Sequence, residues 1–527
     1  MDRHTIHRRR WLILPVLCLS LFLVVVDNTI VNVALPTLSR ELGATTSQLQ
    51  WIVDAYALVF AGLLLAGGSL GDRVGRKRSL QVGLVLFAAT SVLAAFAGSA
   101  GALIWARAAM GVGAALVFPA TLAILTNVFT DPAERAKAIG IWAGVSGLAV
   151  ALGPISGGWL LRHFWWGSVF FVNVPIVVVA LVAGQRLLPE SRDPHAGRFD
   201  RVGFLASIAA ITSLIYTVIE APHRGWTDPL TIGGFAAAAM LLAGFIAWER
   251  RSADPLLDVR VFANARFSAA SGAVTVSFFA LFGFIFLVTQ YFQFVRGYDT
   301  FSAGVHTLPF AVAAAVTAPI SARLALRIGT KVVVAAGLVL MAAGFGIASM
   351  TQADSSYWGV LVPAMVLMAS GLGLVGAPAT ESIMGSLPPE RAGVGSAVND
   401  TTRELGGTLG VAVVGSVFSS IYGPRIAEGF SALPGLPAEA VEAARDSMAA
   451  AVQVAAQAPA AAQPLVLGIA RDAFMDGMAT GSRVAAVACA VGAVAALRFL
   501  PARAVGAPAS TGERGGRERT EPSLVVG

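Results

Sequence analysis

Residues 68–80 read GSLGDRVGRKRSL and separate two long apolar runs, 51–70 and 80–98. Each run has about the 20 residues that an α-helix needs to cross the hydrocarbon core of a bilayer. The stretch is therefore predicted to be a short hairpin between two membrane helices. It holds one acid, Asp72, among four basic residues, and a glycine, Gly75, that permits a tight turn. Because basic loops stay in the cytoplasm under the positive-inside rule, this hairpin fixes the orientation predicted for the whole chain.

The composition is that of a polytopic membrane protein. The chain has 527 residues, of which 56% are hydrophobic and only 13% charged, and its mean hydropathy is +0.74. These values exclude an ordinary soluble domain. The net charge of +7 predicts no nucleic-acid partner, because the basic residues fall in membrane loops. Cys18 and Cys489 lie in apolar runs, so no disulfide is expected, and no metal-ligand or ATP-binding motif predicts a metal or cofactor.

Fourteen apolar segments define the predicted fold class, an all-α polytopic membrane protein with both termini cytoplasmic. The segments are 11–34, 48–70, 80–98, 102–126, 136–161, 168–187, 203–220, 229–248, 268–293, 301–326, 332–352, 357–385, 393–422 and 473–500. Outside them we expect a basic N-terminus, 1–10, and one long external loop, 423–472. Within that loop, 437–456 is weakly amphipathic and predicts a short surface helix. The polar tail, 501–527, is predicted to be disordered.

The hairpin pattern G-x-L-x-D-R-x-G-R-K-x-x-L resembles the loop between helices 2 and 3 of the major facilitator superfamily. The resemblance implies that Asp72 and Arg73 join a charge network that holds the cytoplasmic gate shut. Gly75 and Arg76 fill further fixed positions of the pattern. The alternative is a plain basic loop without a moving part, which would not explain the acid together with the glycines.

The superfamily resemblance also implies a division of the chain. Two six-helix bundles, 11–187 and 268–500, would flank an extra helix pair, 203–248. A weak internal repeat agrees with this division. Residues 324–331 align with 70–77 and keep the leucine, arginine, glycine and lysine of the first copy, but the acid is replaced by leucine.

The first predicted helix contains an acid, Asp27, within the stretch DNTIVNVALP. A carboxylate inside an apolar helix costs about 2.5–3.5 kcal/mol on insertion scales, so its presence indicates a function. We expect Asp27 to face an internal cavity, and Asn28 and Asn32 share one helix face. The stretch resembles helix 1 of the fourteen-helix drug:proton antiporters, in which the acid is a candidate for binding protons or cationic drugs. The alternative is an interfacial acid that caps the helix end.

A second acid, Asp54, lies one turn inside the second helix, in the stretch WIVDAYAL. An acid at this point resembles the Qac-type exporters of quaternary ammonium antiseptics and dyes. Tyr56 and Trp51 offer aromatic faces to a cation. The alternative, favoured for Trp51, is a place in the aromatic belt at the membrane surface.

Helix 4 carries a basic residue, Arg107, which cannot lose its proton and needs a partner inside the membrane. It begins a stretch similar to the family pattern R-x-x-Q-G-x-G, with Met110 in place of the glutamine. The resemblance implies a role in proton coupling. The alternative is an ion pair that only positions helix 4.

Helix 5 contains the hexapeptide GPISGG, whose proline bends the helix and whose glycines allow close packing. It resembles the antiporter motif G-P-x-x-G-G, which is found in the exporting branches of the superfamily. The matching positions are Gly153, Pro154, Gly157 and Gly158.

The second half offers three further acids, Glu381, Asp400 and Glu404. Asp400 and Glu404 share a helix face, and Arg403 lies three residues from Asp400. Two acids against one base leave a carboxyl group that can titrate. The alternative is that all three belong to gate salt bridges.

These resemblances together imply proton-coupled export of amphipathic, cationic drugs, antiseptics or antibiotics across the bacterial inner membrane. Asp27 and Asp54 would face a central cavity and hold either protons or the cation. The expected partners are the small-molecule substrate, protons and the lipid bilayer, and the expected state is a monomer that catalyses no covalent reaction and draws its energy from the proton gradient. A dedicated exporter of one natural product is the nearest alternative. Nutrient uptake and a membrane-bound transferase fit less well.

Overall fold

The computed structural model describes residues 3–44, 46–193, 200–431, 433, 436–460 and 462–501. The tail predicted to be disordered lies outside these residues, apart from Pro501. Within them the chain is helical and contains no β-strand, and fourteen helices are long and apolar enough to cross a membrane. This confirms the predicted all-α fold with fourteen membrane helices.

The fourteen membrane helices are labelled α1–α14 in chain order. They are Arg8–Leu35 (α1), Gln48–Val74 (α2), Arg76–Ala95 (α3), Ala100–Val128 (α4), Pro132–His163 (α5), Ser168–Leu187 (α6), Arg201–Pro222 (α7), Pro229–Glu249 (α8), Ala265–Val295 (α9), Phe301–Ile328 (α10), Thr330–Ala348 (α11), Tyr357–Met384 (α12), Pro389–Ser431 (α13) and Gln463–Phe499 (α14). Each contains an apolar stretch near the length set by the bilayer, which is why hydropathy alone located all of them.

The predicted hairpin is shorter than its sequence indicated. Helix α2 continues to Val74 and α3 begins at Arg76, so Gly75 alone breaks the helical path. Its φ of 122° lies in the region that favours glycine. The junction between α10 and α11 has the same construction, because Gly329 stands alone between them with a φ of 92°. The two junctions occupy equivalent positions of the internal repeat. We call the end of the molecule that holds Gly75 the basic-loop face.

The buried apolar residues form two clusters, one centred on α1–α6 and one centred on α9–α14. The extra pair, α7 and α8, lies beside them. Helix α7 packs on α2 where Thr212 meets Gly62, and the indole N–H of Trp226 donates to the Ser416 hydroxyl of α13 at 2.8 Å. The extra pair is therefore attached where α2 and α13 meet.

Small residues bring the two bundles into contact. In α5, Gly140 and Gly144 face the backbone of α10, where an added methyl group at Gly140 would lie 3.0 Å from the Ala318 carbonyl oxygen. In α2, Gly68 lies against the backbone of Gly393 in α13. Glycine and alanine permit such close backbone approach between membrane helices.

The long loop differs from its predicted limits, because α13 and α14 both extend into the segment 423–472. Two short helices, Ala438–Asp446 and Met448–Gln457, replace the single surface helix expected there. The break falls at Ser447, whose side chain accepts a hydrogen bond from the Ala450 N–H at 3.2 Å and so begins the second helix.

Candidate functional site

An ion pair is buried inside the first bundle. The Arg107 Nη1 donates to Asp27 Oδ2 at 2.5 Å, and both side chains are 0% exposed. The Arg107 Nε donates to the backbone oxygen of Ile52 in α2 at 3.1 Å. The pair therefore ties α1 and α4 together and contacts α2, in an environment where neither charge can remain alone.

The second oxygen of Asp27 is also bonded. Asn173 in α6 donates from Nδ2 to Asp27 Oδ1 at 2.8 Å, and the same group lies 3.3 Å from the Ser91 hydroxyl of α3. Asp27 is thus enclosed by protein and lines no open cavity, contrary to the sequence-based expectation. Sequence reasoning gave no role to Asn173 or Ser91. The available signal was an amide within the apolar helix α6.

Two neighbours predicted to bind substrate point elsewhere. The Tyr56 ring lies 4.2 Å from the Arg107 guanidinium, so a cation of the protein itself covers one of its faces. Asn32 is exposed and donates to the backbone oxygen of Asn28 at 3.3 Å. It does not contact Asp27.

Asp54 lies at the junction of α2 and α7. Its side chain is half-buried, and it makes no hydrogen bond or ion pair within the part of the chain that the structure describes. The nearby acid Glu220 in α7 pairs with Arg224 at 3.1 Å. Trp51 stacks on Tyr216, with ring centroids 6.3 Å apart, and Arg224 donates to the Tyr216 hydroxyl at 3.1 Å. Two carboxylates, one guanidinium and two aromatic rings therefore gather where the extra pair meets the first bundle.

At the basic-loop face, Asp72 connects the two bundles. It accepts hydrogen bonds from the backbone N–H groups of Gly393 at 2.9 Å and Val394 at 3.0 Å, and from Arg76 Nε at 2.7 Å. The two N–H groups belong to the first turn of the main α-helical part of α13, where the helix dipole favours a negative charge. A carboxylate of the first bundle thus caps a helix of the second.

Arg76 completes this contact. Its Nη2 donates to the backbone oxygens of Pro389 at 2.9 Å and Glu390 at 2.8 Å, and the side chain is 1% exposed. The family resemblance assigned the charge network to Asp72 and Arg73. In the structure, Arg76 pairs with Asp72, and Arg73 is half-buried.

Further ion pairs join the bundles at both faces. Near the basic-loop face, Arg135 of α5 donates to Glu381 of α12, with Nη2–Oε1 at 2.7 Å and Nε–Oε1 at 3.0 Å. Near the opposite face, Arg162 pairs with Asp299, just before α10. Hydrogen bonds from Ser302, together with the charge of Arg162, hold the pKa of Asp299 below its usual range.

The acids of α13 have different surroundings. Asp400 accepts hydrogen bonds from Asn399 Nδ2 at 3.0 Å and Ser396 Oγ at 3.4 Å. Arg403 does not complete the expected pair with Asp400. It donates to the Thr380 hydroxyl at 3.2 Å.

Glu404 lies next to Arg403 in α13 but does not pair with it. Its half-buried carboxylate makes no hydrogen bond or ion pair among the described residues. The neighbouring guanidinium of Arg403 instead faces the rings of Trp142 at 4.9 Å and Phe278 at 5.1 Å.

The GPISGG segment packs tightly against α1. Gly153 lies against Thr29, two residues after Asp27, and a methyl group added at Gly157 would come within 2.8 Å of Ile30. On the other side of α5, an added methyl at Gly158 would lie 3.3 Å from Phe301 of α10, and Pro154 contacts Gly304. The motif therefore joins the helix of Asp27 to the second bundle.

We expect Gly153→Ala to lower stability. Its new methyl group would lie 2.9 Å from Thr29 Cβ and 3.1 Å from the Ile30 backbone nitrogen, and overpacking of this kind costs about 1–3 kcal/mol. Gly272→Ala in α9 is the matched control, because nothing lies within 4 Å of its new methyl group. Thermal unfolding of the purified proteins in detergent measures the difference. Equal thermal unfolding midpoints for the two variants would show that α1 and α5 can move apart to accommodate the methyl group.

The site defines a class of protein. Two helical bundles meet through glycine-rich contacts, carry ion pairs at both ends of their interface, and hold charged groups at membrane depth. These features are typical of a transporter that exposes a central site alternately to the two sides of a membrane.

The chain belongs to the Major Facilitator Superfamily, whose family model matches residues 17–411. It is 38% identical over 479 residues to the multidrug efflux pump LfrA of Mycolicibacterium smegmatis, covering 91% of this chain and 94% of LfrA. It is 37% identical over 479 residues to the methyl viologen resistance protein SmvA of Salmonella typhimurium, covering 89% and 93%. The crystal structure of the human organic anion transporter MFSD10 has the same fold, with a TM-score of 0.60 at 14% identity, and covers 93% of this chain and 99% of MFSD10.

Proposed function

We propose that this transporter exports amphipathic organic cations in exchange for protons. The observation that carries the proposal is Asp54, a carboxylate without a basic partner among the described residues, beside the stacked rings of Trp51 and Tyr216. A carboxylate next to aromatic faces matches a flat cation, and each cation–π contact contributes about 0.5–2 kcal/mol. Glu220 adds a second negative charge close by.

The relatives support drug export and a cationic substrate. LfrA is named a multidrug efflux pump, and SmvA is named for resistance to methyl viologen, which is an aromatic dication. Both are similar to this chain over most of its length. We therefore infer that flat organic cations belong to its substrate range.

Proton coupling is assigned to the Asp27–Arg107 pair. A proton taken up by Asp27 would neutralise its charge and weaken the bond to Arg107, so the arrangement of α1 and α4 would depend on protonation. The proton gradient would supply the energy, without a cofactor. We place the basic-loop face and both termini in the cytoplasm of a bacterial cell, with the protein acting as a monomer in the inner membrane.

Dye transport tests this proposal. Energised inverted vesicles that contain the wild-type protein should accumulate ethidium, and a protonophore should abolish the accumulation. Asp54→Asn should reduce the initial rate at least tenfold, because the amide removes the negative charge that attracts the dye. Asp354→Asn, which changes an exposed acid in the segment between α11 and α12, is the control and should transport at the wild-type rate.

Three outcomes would contradict parts of the proposal. Accumulation that survives the protonophore would rule out proton coupling. A wild-type rate in Asp54→Asn would remove this residue from substrate binding. If the folded, inserted protein moves no dye, a dedicated natural-product exporter becomes the better hypothesis.

A further inference from the structure

A buried arginine of the second bundle, Arg403, faces an aromatic ring of the first. It lies on α13 and is 6% exposed. Its guanidinium carbon is 4.9 Å from the ring centroid of Trp142 in α5 and 5.1 Å from that of Phe278 in α9. Both distances are within the ~6 Å at which a cation is attracted to an aromatic face. Because α5 belongs to the first bundle and α13 to the second, the contact with Trp142 crosses the interface between the bundles.

Arg403 makes no direct ion pair among the described residues. Its Nη2 donates to the Thr380 hydroxyl at 3.2 Å, and that hydroxyl donates to Asn399 Oδ1 at 3.0 Å. Asn399 Nδ2 in turn donates to Asp400 Oδ1 at 3.0 Å. Two neutral side chains therefore stand between the guanidinium and this carboxylate. The charge of Arg403 remains available to the aromatic faces, and burial away from water strengthens the attraction.

Trp142 is held in place by its own bundle. It is 0% exposed, and its indole N–H donates to the Thr121 hydroxyl of α4 at 3.2 Å. The Phe118 ring, also on α4, lies edge-on to it with ring centroids 6.1 Å apart. The indole is thus fixed to α4 as well as α5. A movement of α13 away from the first bundle would therefore break the contact between Trp142 and Arg403.

The contact lies at mid-depth in the membrane. Arg403 is ten residues from Gly393, which touches α2 close to the basic-loop face. At about 1.5 Å per residue, Arg403 is roughly 15 Å further from that face. Transporters built from two bundles expose their central site by rocking one bundle against the other. Opening of the basic-loop face would separate the bundles from that face inward, past the level of Arg403.

One atom of Arg403 indicates that the contact can be broken at little cost. Its Nε has no hydrogen-bond acceptor among the described residues. A buried N–H group without an acceptor is unfavourable, and water admitted by opening would supply the acceptor. The closed state therefore gains the aromatic contact and the open state gains a hydrogen bond. The two gains are of comparable size, so the balance between the states is close.

We propose that the cation–π contact between Arg403 and Trp142 is a latch, which holds the bundles together while the basic-loop face is closed and breaks when that face opens. Both are positioning residues, because they set the populations of the closed and open states and neither needs to contact the substrate. The inference deepens the proposed function and rests on it only for the role of the latch in export. Opening of the face can be measured without a substrate.

Electron paramagnetic resonance distances between two spin labels measure the opening in the full-length protein in lipid nanodiscs. The labels are attached through Val74→Cys at the end of α2 and Ile328→Cys at the end of α10, which are 49% and 50% exposed. The two positions directly precede the glycines that break the helical path in the two copies of the repeat. The native Cys18 and Cys489 are replaced by alanine. Short distances report the closed face and long distances the open face.

Trp142 is then replaced by its mono-, di- and trifluoro derivatives, introduced at this position alone. Fluorine withdraws electron density from the face of the ring, so it weakens the attraction for a cation while nearly keeping the shape of the indole. The open-to-closed ratio should rise with each added fluorine. With three fluorines it should be about tenfold higher than with tryptophan, which corresponds to about 1.4 kcal/mol.

The matched control repeats the series in Arg403→Gln, which removes the cation and keeps the bond between Trp142 and Thr121. Fluorination should leave the ratio unchanged in that background. The latch is wrong if fluorination leaves the ratio unchanged in the protein that retains Arg403. It is also wrong if the ratio rises equally in Arg403→Gln, because fluorine would then act through the indole N–H or through packing.

Dye transport by the same preparations tests the proposed function separately. A ratio that follows fluorination in a protein that moves no ethidium would support the latch and contradict export of this cation. Ethidium transport with a ratio that ignores fluorination would support the proposed function and overturn the latch.

Discussion

Arg107→Gln should destabilise the protein more than other single changes in the first bundle. The substitution leaves Asp27 as a carboxylate at 0% exposure, with Asn173 as its remaining side-chain donor. Removing one partner of a buried ion pair typically costs 3–5 kcal/mol, because the remaining charge is then uncompensated. Unfolding of the purified protein by a denaturing detergent in mixed micelles, followed by circular dichroism, measures the loss.

The double variant Asp27→Asn/Arg107→Gln separates the charge effect from packing. Two amides can hydrogen-bond to each other at these positions and carry no charge, so most of the lost stability should return. Transport should be absent in the double variant, because no group at this position can then bind a proton. Equal instability of the single and double variants would show that side-chain packing, and not the charge pair, sets the cost.

The membrane helices could be predicted because their length and apolar composition follow directly from the bilayer. The internal repeat was weaker in sequence than in structure. Only four residues align between 70–77 and 324–331, yet Gly75 and Gly329 break the helical path in the same way. The second copy lacks the acid, so the sequence match is weak. The backbone geometry is kept because the turn needs the glycine and not the carboxylate.

The partners of the charged groups could not be predicted in the same way. Asp27 and Arg107 are eighty positions apart, and no local pattern indicates that α1 and α4 pack together at this register. The partner of Asp72 was easier to predict from the sequence. Arg76 is four residues away, and residues four apart share a helix face, whereas Arg73 is the next residue in the chain. The backbone N–H groups that Asp72 caps belong to a helix more than 300 residues later, and only the tertiary structure shows them.

The surroundings of Tyr56 and Asp54 show how helix rotation separates residues that are close in sequence. The two residues are two positions apart on α2, so they point to different sides of the helix. Tyr56 turns towards Arg107, whereas Asp54 turns towards Glu220 in the extra pair. The sequence indicated one shared substrate site. The structure separates the two residues, with Tyr56 at the buried ion pair and Asp54 half-buried beside the extra pair.

Asp72→Asn should open the basic-loop face. An asparagine has one acceptor oxygen, so it cannot serve the N–H groups of both Gly393 and Val394 in the way that the carboxylate does, and Arg76 loses its counter-charge at 1% exposure. Hydrogen bonds to charged groups contribute about 1.5–3 kcal/mol, which corresponds to a roughly ten- to hundredfold shift in the balance between closed and open states. Transport should fall by at least tenfold, because the closed state is one half of the cycle.

Cysteine labelling detects this opening directly. Ala392, at the start of the α-helical part of α13, is 2% exposed, and a cysteine placed there should react with N-ethylmaleimide at least ten times faster in the Asp72→Asn background. The native Cys18 and Cys489 are both buried and would be replaced by alanine. Arg78→Gln is the control, because its side chain is 70% exposed and its nearest carboxylate is 3.9 Å away, so labelling should stay at the reference rate. If Asp72→Asn also labels at that rate, the carboxylate cap does not hold this face closed, and the Arg135–Glu381 pair becomes the contact that keeps the bundles together there.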